Sequence, residues 1–169
     1  MSKLYIFGIG GTGSRVLRSF TMMMSAGVQI GADSVVPIVI DPDASNADVN
    51  RTVALMNNYQ AVRSELSFVN SEKTRFFRTE LRKVLDGYTL RIKDTDDKKF
   101  RDFIDLSSMG RDTQAMMRML FSDKNLESSM NVGFKGNPNI GSVVLNQIVK
   151  SDDFKAFANS FEQGDKYSS

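Results

Sequence analysis

Apolar and polar positions follow two patterns in the first part of the chain, each typical of one kind of secondary structure. Residues 4–7 form a short apolar run that ends at a glycine, and residues 35–40 form a second run rich in β-branched side chains. Such runs are typical of buried parallel strands. Between them, apolar residues recur at helical spacing from Val16 to Met24. The order strand, helix, strand predicts a βαβ unit.

Helical spacing of apolar residues dominates the rest of the chain. Predicted helices cover residues 46–66, 71–85, 100–106, 113–121, 142–149 and 152–161. Weak alternation predicts a short strand at 88–92, and the polar composition of residues 164–169 predicts a frayed tail. Pro37 lies inside the second strand and has no backbone N–H, so we expect an edge position or a local irregularity there.

These elements predict an α/β fold: a Rossmann-like parallel sheet with a βαβ start and a large helical portion. No Gly-, Ser- or Pro-rich linker divides the sequence, so we expect one domain over residues 1–169. Its parts are a βαβ core at 1–45, a mainly helical region at 46–130 and a helical C-terminal part at 131–163. Only two strand patterns are clear, so the sheet is expected to be incomplete.

Composition restricts the possible functions. The chain has 169 residues with a net charge of +2, and such a balance gives no dense cationic face for nucleic acid. It contains no Cys and no His, which excludes disulfides, zinc sites built from Cys and His, Ser-His-Asp relays and Cys nucleophiles. No apolar run approaches the roughly 18 residues of a membrane span, so we expect no membrane partner and a cytoplasmic location.

A glycine-rich junction follows the first strand and opens the first helix. Its glycines have the spacing Gly8-x-Gly10-x-x-Gly13, which in this context is typical of a phosphate-binding loop. Glycine allows a tight turn and a close approach of backbone N–H groups, and the positive end of the helix dipole favours an anion. The candidate phosphate-binding residues are Gly8, Gly10, Gly11, Thr12, Gly13 and Ser14. The alternative is that the glycines only allow close packing of the strand on the helix.

A polar turn follows the second strand, at the edge of the sheet where the glycine junction also lies. It contains Asp41, Asp43 and Asn46. Ligands of open α/β sheets bind at this edge. An acidic side chain there can accept hydrogen bonds from a ribose or hold Mg²⁺ through water. The alternative is that Asp43 or Asn46 caps the helix that begins near Ala47, and for Asn46 the cap is the favoured interpretation.

These two segments resemble the start of the tubulin/FtsZ superfamily. The similarity lies in residues 3–14, where a first strand runs into a nucleotide loop, and in residues 38–44, where the second strand ends in an acidic turn. The chain is also similar to a group of bacterial tubulin-like proteins, in which a segment like residues 133–142 recurs. The resemblance implies one domain that binds GTP or GDP, with or without Mg²⁺.

The resemblance also implies what the chain would need for hydrolysis. In that superfamily a second glycine loop holds the remaining phosphates, and no such loop follows residue 14. Without His or Cys, the sequence offers no side chain with an ordinary pKa near neutrality as a general base. We therefore expect the N-terminal portion of such a protein, which binds nucleotide without turnover and self-associates through an open sheet edge.

Other classes of protein share parts of this pattern. Adenylating enzymes of the ThiF-like fold have a similar glycine loop and an acidic strand end that bind ATP; the residues similar to that pattern are Asp41, Asp43, Asn46 and Arg51. An NAD-binding Rossmann enzyme is a looser fit, because Asp41 lies 33 positions after Gly8, whereas the usual distance is about 20. A non-catalytic interaction domain with a ligand-free glycine turn is the third alternative.

Overall fold

The centre of the molecule is a parallel βαβ unit. A computed structural model describes residues 2–43, 45–68, 75–90, 92–93, 95–132, 136–149, 152–161 and 166–168. Strand β1 (Lys3–Ile9) pairs in parallel with β2 (Ser34–Ile40) over their whole lengths, and helix α1 (Gly10–Ser25) connects them. The predicted βαβ start and the α/β fold class are therefore confirmed.

Two short strands complete the described sheet, whose order is β3-β2-β1-β4. Strand β3 (Glu80–Leu81) pairs in parallel with the start of β2, and β4 (Lys166–Ser168) pairs in parallel with β1. The prediction of a frayed tail was wrong at β4. A strand at the edge of a sheet is held by backbone hydrogen bonds to its neighbour, which do not require apolar side chains.

Pro37 faces the irregular edge of β2. The carbonyl groups of Val35 and Val39 accept hydrogen bonds from the backbone N–H groups of Arg82 and Leu90 on that side. Alternate residues of a strand direct their backbone groups to the same side, so Pro37 also faces it. The neighbouring chain between Arg82 and Leu90 contains a 3-10 turn, Asp86–Tyr88, instead of a strand. The missing N–H therefore interrupts no bond to β1, and the predicted irregularity is confirmed.

Helices cover both faces of the sheet. Helices α1 and α2 (Ala47–Phe68) pack on the face that carries Val35 and Val39, while residues of the helices α6 (Pro138–Ile148) and α7 (Asp152–Ala158) pack on the other face. Every residue of β2 is buried. Burial on both faces explains why residues 35–40 form a continuous apolar run that does not alternate with polar residues.

A helical portion with its own apolar core joins the sheet through α6. Its helices are α3 (Phe100–Phe103), α4 (Arg111–Leu120) and α5 (Asp123–Leu126). Ile140 and Val144 of α6 pack in the same core as Phe100, whereas Ile148, further along α6, packs against the sheet. One helix thus contributes to both cores and fixes the helical portion to the sheet.

Three sequence-based elements differ from the structure. No helix covers 75–85, which is irregular apart from β3, while 71–74 lie outside the described residues. The strand expected at 88–92 is reduced to a single bridge between Thr89 and Val39. The helix expected over 100–106 ends at Phe103, and a 3-10 turn follows at Leu106–Ser108. No helix in the described ranges is long and apolar enough to cross a membrane.

Candidate functional site

Helix α1 begins directly where β1 ends, with no loop between them. Ile9 is the last residue of the strand and Gly10 the first of the helix, and Gly10 has a φ of 67°. Side chains other than glycine rarely adopt that conformation, so this position requires glycine for the sharp change of direction. The start of the helix is thereby fixed at the carboxyl end of β1, as the sequence predicts.

Gly8 and Gly13 allow the helix to lie against the strand. A Cβ atom on Gly13 would lie 2.6 Å from the carbonyl carbon of Gly8 and 2.8 Å from its Cα. A Cβ atom on Gly8 would overlap Cδ1 of Leu17 and lie 3.1 Å from the carbonyl carbon of Gly13. The packing interpretation of the glycine pattern therefore applies to these two positions.

The first turn of α1 has no cap from a side chain. Its N-cap residue is Ile9, whose side chain has no hydrogen-bond acceptor, and the turn contains no acidic residue. A Cβ atom added to Gly10 would meet no atom within 4 Å, so the space beside it is open. The initial N–H groups of a helix have no partners within the helix, and they carry the positive end of its dipole. This turn is suited to bind an anion.

The two hydroxyl groups of the junction differ in what they contact. Ser14 is buried, and its Oγ donates a 3.0 Å hydrogen bond to the carbonyl of Gly10 inside the helix. Thr12 is exposed, and its Oγ1 accepts a hydrogen bond from Arg15. Thr12 is therefore the exposed hydroxyl of the junction, and Ser14 stabilises the helix start.

The polar turn after β2 is held together by its own side chains. Asp41 is only 7% exposed; its Oδ1 accepts a 2.9 Å bond from the N–H of Asp43, and its Oδ2 accepts a 2.8 Å bond from Nδ2 of Asn46. Oδ1 of Asp43 accepts bonds from the N–H and hydroxyl of Ser45. Oδ1 of Asn46 accepts a 2.9 Å bond from the N–H of Asp48, so the predicted cap of α2 is confirmed.

The glycine junction and the polar turn meet in space. A Cβ atom on Gly11 would lie 3.3 Å from Nδ2 of Asn46 and 3.8 Å from Oδ2 of Asp48. Both segments follow parallel strands that are direct neighbours, and such strands end at the same edge of a sheet. The predicted site residues are thus brought together, with Ala44 outside the described residues.

Asp48 is a charged residue of this edge that the sequence analysis missed. Its carboxylate lies 3.7 Å from Arg15 and 3.5 Å from Arg18, two residues of α1. Below it, Oγ1 of the buried Thr52 donates hydrogen bonds to the carbonyls of Ser14 and Asp48. These contacts fasten α1 to α2 beside the open first turn. In the sequence Asp48 is an ordinary first-turn acid, and no spacing signals its partners.

The buried carboxyl group of Asp41 makes the stability of this turn depend on pH. Burial raises the pKa of Asp41 above its ordinary value of 3.8, although the bonds from Asp43 and Asn46 act in the opposite direction. Protonated Asp41 therefore favours the folded state. That stabilisation is complete below the unfolded pKa and is lost as the pH rises through the folded pKa.

We expect the free energy of unfolding of an Asp41→Asn variant to come closer to that of the parent protein as the pH rises. The amide cannot ionise, but it can accept only one of the two bonds, so the variant is less stable than the parent at low pH. The difference in free energy of unfolding should narrow as the pH rises from below the ordinary carboxyl pKa of 3.8, measured by urea unfolding. Asp123→Asn, which removes an exposed carboxylate, is the matched control. A gap that is constant or widens with pH would contradict the burial argument.

The described residues of this edge do not form a metal ligand cluster. Across the part of the chain that the structure describes, no group of three or more acidic side chains could hold a metal ion.

Comparison with known proteins gives no match, whether by family model, by curated protein or by solved structure. The tubulin-like resemblance and the ThiF-like alternative therefore both stay predictions.

Proposed function

We propose that the chain binds a nucleotide of the GTP type at the carboxyl edge of its sheet. The observation that carries the proposal is the first turn of α1, which has no side-chain cap and no acidic residue and lies beside open space at Gly10. Backbone N–H groups in this arrangement bind phosphate in many α/β proteins. The tubulin-like resemblance of residues 3–14 supports the choice of GTP or GDP.

The residues of the site divide into contacts and supports. Backbone N–H groups of Gly10 and Gly11, with the hydroxyl of Thr12, would contact phosphate oxygens, while Gly8 and Gly13 keep the helix close to the strand. Asp43 is partly exposed and uses Oδ1 for Ser45, so Oδ2 is the acceptor that we assign to a sugar hydroxyl or to hydrated Mg²⁺. Asp41 and Asn46, bonded to each other, would hold the turn in place.

Binding without turnover is part of the proposal. The sequence has no His or Cys, so a general base would have to be a carboxylate with a strongly raised pKa. Asp41 has a raised pKa, but both its oxygens already accept hydrogen bonds within the turn. Any Mg²⁺ would be held largely by the phosphate groups and water, as is usual for this ion.

We expect GTP or GDP to stabilise the protein against heat more than ATP or NAD does. A ligand at 100 times its dissociation constant stabilises the native state by about 2.7 kcal/mol. A Gly11→Val variant should bind at least about tenfold more weakly, because its side chain would stand between the first turn and Asn46. The measurement is thermal unfolding with and without Mg²⁺, followed by titration calorimetry and an assay of phosphate release.

Gly110→Val is the matched control, since a Cβ atom at Gly110 would meet nothing within 4 Å. Unchanged affinity in a folded Gly11→Val variant would contradict the phosphate site. Preference for ATP or NAD would favour the adenylating or dinucleotide enzyme, and no binding of any nucleotide would favour an interaction domain. Multiple turnovers per chain would refute the proposal of binding without hydrolysis.

A further inference from the structure

Helix α4 presents apolar side chains to solvent. Met116, Met119 and Leu120 are 57%, 87% and 61% exposed, and no residue of α4 is buried against the described parts of the chain. Residues three and four positions apart lie on the same face of a helix, so these three side chains adjoin one another. Single exposed apolar residues are common, whereas an adjoining group indicates an interaction surface. These three residues, the apolar face of α4, are therefore a candidate contact for another molecule.

The opposite side of α4 attaches it to the helical portion. Met117 packs against the core that contains Phe100, and Nε2 of Gln114 donates a 2.8 Å hydrogen bond to the carbonyl of Met109. Phe121, which follows the helix, is buried and makes an edge contact with Phe100. These contacts fix the orientation of α4, so its apolar face is held toward solvent before any partner binds. An ordered surface loses little conformational entropy on binding.

One charge of each sign borders the apolar face. Asp112, in the first turn of α4, precedes Met116 by four positions and so lies at the start of that face. Lys124 follows the helix at the other end, and both charged side chains are exposed. Within the described part of the chain, neither of them takes part in an ion pair. A partner that covers the face can therefore supply a cation for Asp112 and an anion for Lys124.

The other charges near α4 lie outside the apolar face. Arg118 is two positions from Met116, and residues two positions apart do not share a face of a helix. Arg111 lies seven positions before Arg118, on the same side of α4. Asp123 lies 3.6 Å from Arg118 and is thereby drawn to that side as well. Like charges at these positions therefore do not oppose a contact through the apolar face.

A second copy of α4 matches this face both in apolar character and in charge. In an antiparallel pair of α4 helices, Asp112 lies opposite Lys124 of the second copy when the twofold axis passes beside position 118. The apolar face extends from Met116 to Leu120 and is centred on the same position. The register that pairs the charges therefore also brings the two apolar faces together. Twofold symmetry forms each ion pair twice, since the same surface is used by both copies.

We propose that α4 is the contact of a symmetric dimer of this chain, in which the apolar faces of two copies pack antiparallel. Methionine side chains are flexible and fill irregular gaps, which suits them to such a contact. A helix of ten residues is about 15 Å long, so the contact is smaller than the roughly 800 Å² per partner of a standard interface, and the dimer dissociates readily. It involves no residue of the proposed nucleotide site, and it differs from the open sheet edge at which the sequence predicts self-association.

The first test is sedimentation of the full chain from about 10 µM to about 1 mM, where a contact of this size should give dimers. Replacing Met116 and Met119 together with Gln should raise the dissociation constant at least about tenfold, because apolar area of the contact is lost. The matched control replaces Met22 and Met23, two exposed methionines of α1, with Gln and should leave the dimer unchanged. A parent protein that stays monomeric over this range, or an equal loss in the control, would overturn the proposal.

The second test reverses the two charges. Asp112→Lys and Lys124→Asp each place like charges opposite one another twice in the dimer, so each variant alone should associate at least about tenfold more weakly than the parent. An equimolar mixture of the two variants should recover association, since each copy then meets the opposite charge. Both residues are exposed, and circular dichroism checks that each variant keeps its fold. A mixture that associates no better than either variant alone would overturn the proposal. Undiminished dimers of both variants would do the same, because the contact would then lie elsewhere, such as at the sheet edge.

Discussion

A Gly13→Ala variant is expected to lose about 3 kcal/mol of its free energy of unfolding, at the upper end of what overpacking usually costs. The added methyl group would lie 2.6 Å from the carbonyl carbon of Gly8 and 2.8 Å from its Cα. Both atoms belong to the backbone of β1, so no side-chain rotation can relieve the contact. Helix α1 would have to move away from the strand, and its contacts through Leu17 would weaken.

The measurement is urea unfolding of the variant beside Gly110→Ala. Gly110 is the N-cap of α4 with a φ of −61°, and a Cβ atom there would meet nothing within 4 Å, so this control should lose less than about 1 kcal/mol. Equal losses in the two variants would show that glycine composition, and not the contact with Gly8, determines the effect. Because α1 carries the open first turn, Gly13→Ala should also weaken nucleotide binding, on the proposed function.

An Ile9→Asp variant is expected to become more stable and, on the proposed function, to lose nucleotide binding. Ile9 has φ −96° and ψ 122°, the extended conformation of an N-cap residue, and its side chain is 42% exposed. An aspartate there can accept hydrogen bonds from the first N–H groups of α1. Capping of this kind adds about 0.5–2 kcal/mol of stability. The same carboxylate would occupy the donors that a phosphate needs and would repel it.

Opposite effects on stability and on binding distinguish this prediction from general damage to the fold. Stability is measured by urea unfolding and affinity by titration calorimetry with GTP and GDP. Ile9→Val, which adds no acceptor, is the control and should bind as the parent does. Undiminished affinity in a stabilised Ile9→Asp variant would show that the nucleotide phosphates do not lie on the first turn of α1.

The elements that the sequence predicted well are those whose signal is local. Strands β1 and β2 contain uninterrupted apolar runs, residues 4–7 and 35–40, because side chains of both strands pack against apolar neighbours on the two faces of the sheet. Helix α1 follows from the spacing of its apolar residues, and Asn46 follows from the preference of its side chain for an N-cap. In each case the residues that carry the signal are neighbours in the chain.

The elements that it missed are defined by a distant partner. Strand β3 has two residues and exists because Glu80 and Leu81 lie beside Ser34 and Val35. Strand β4 pairs with β1 across almost the whole length of the chain, and its polar composition gives no strand signal. A pattern within one segment cannot report the backbone hydrogen bonds that another segment supplies.

In the candidate site, too, local sequence signals predict some features, whereas other features depend on residues far apart in the chain. The sequence by itself determined that a glycine-rich turn and an acidic turn lie at one edge of a parallel sheet, since that follows from the order of strand, helix and strand. Only the tertiary structure decided that Gly13 packs against Gly8, that the first turn of α1 is open beside Gly10, and that Asp48 pairs with two arginines of α1. Those roles depend on the distance between atoms far apart in the sequence, which folding alone sets.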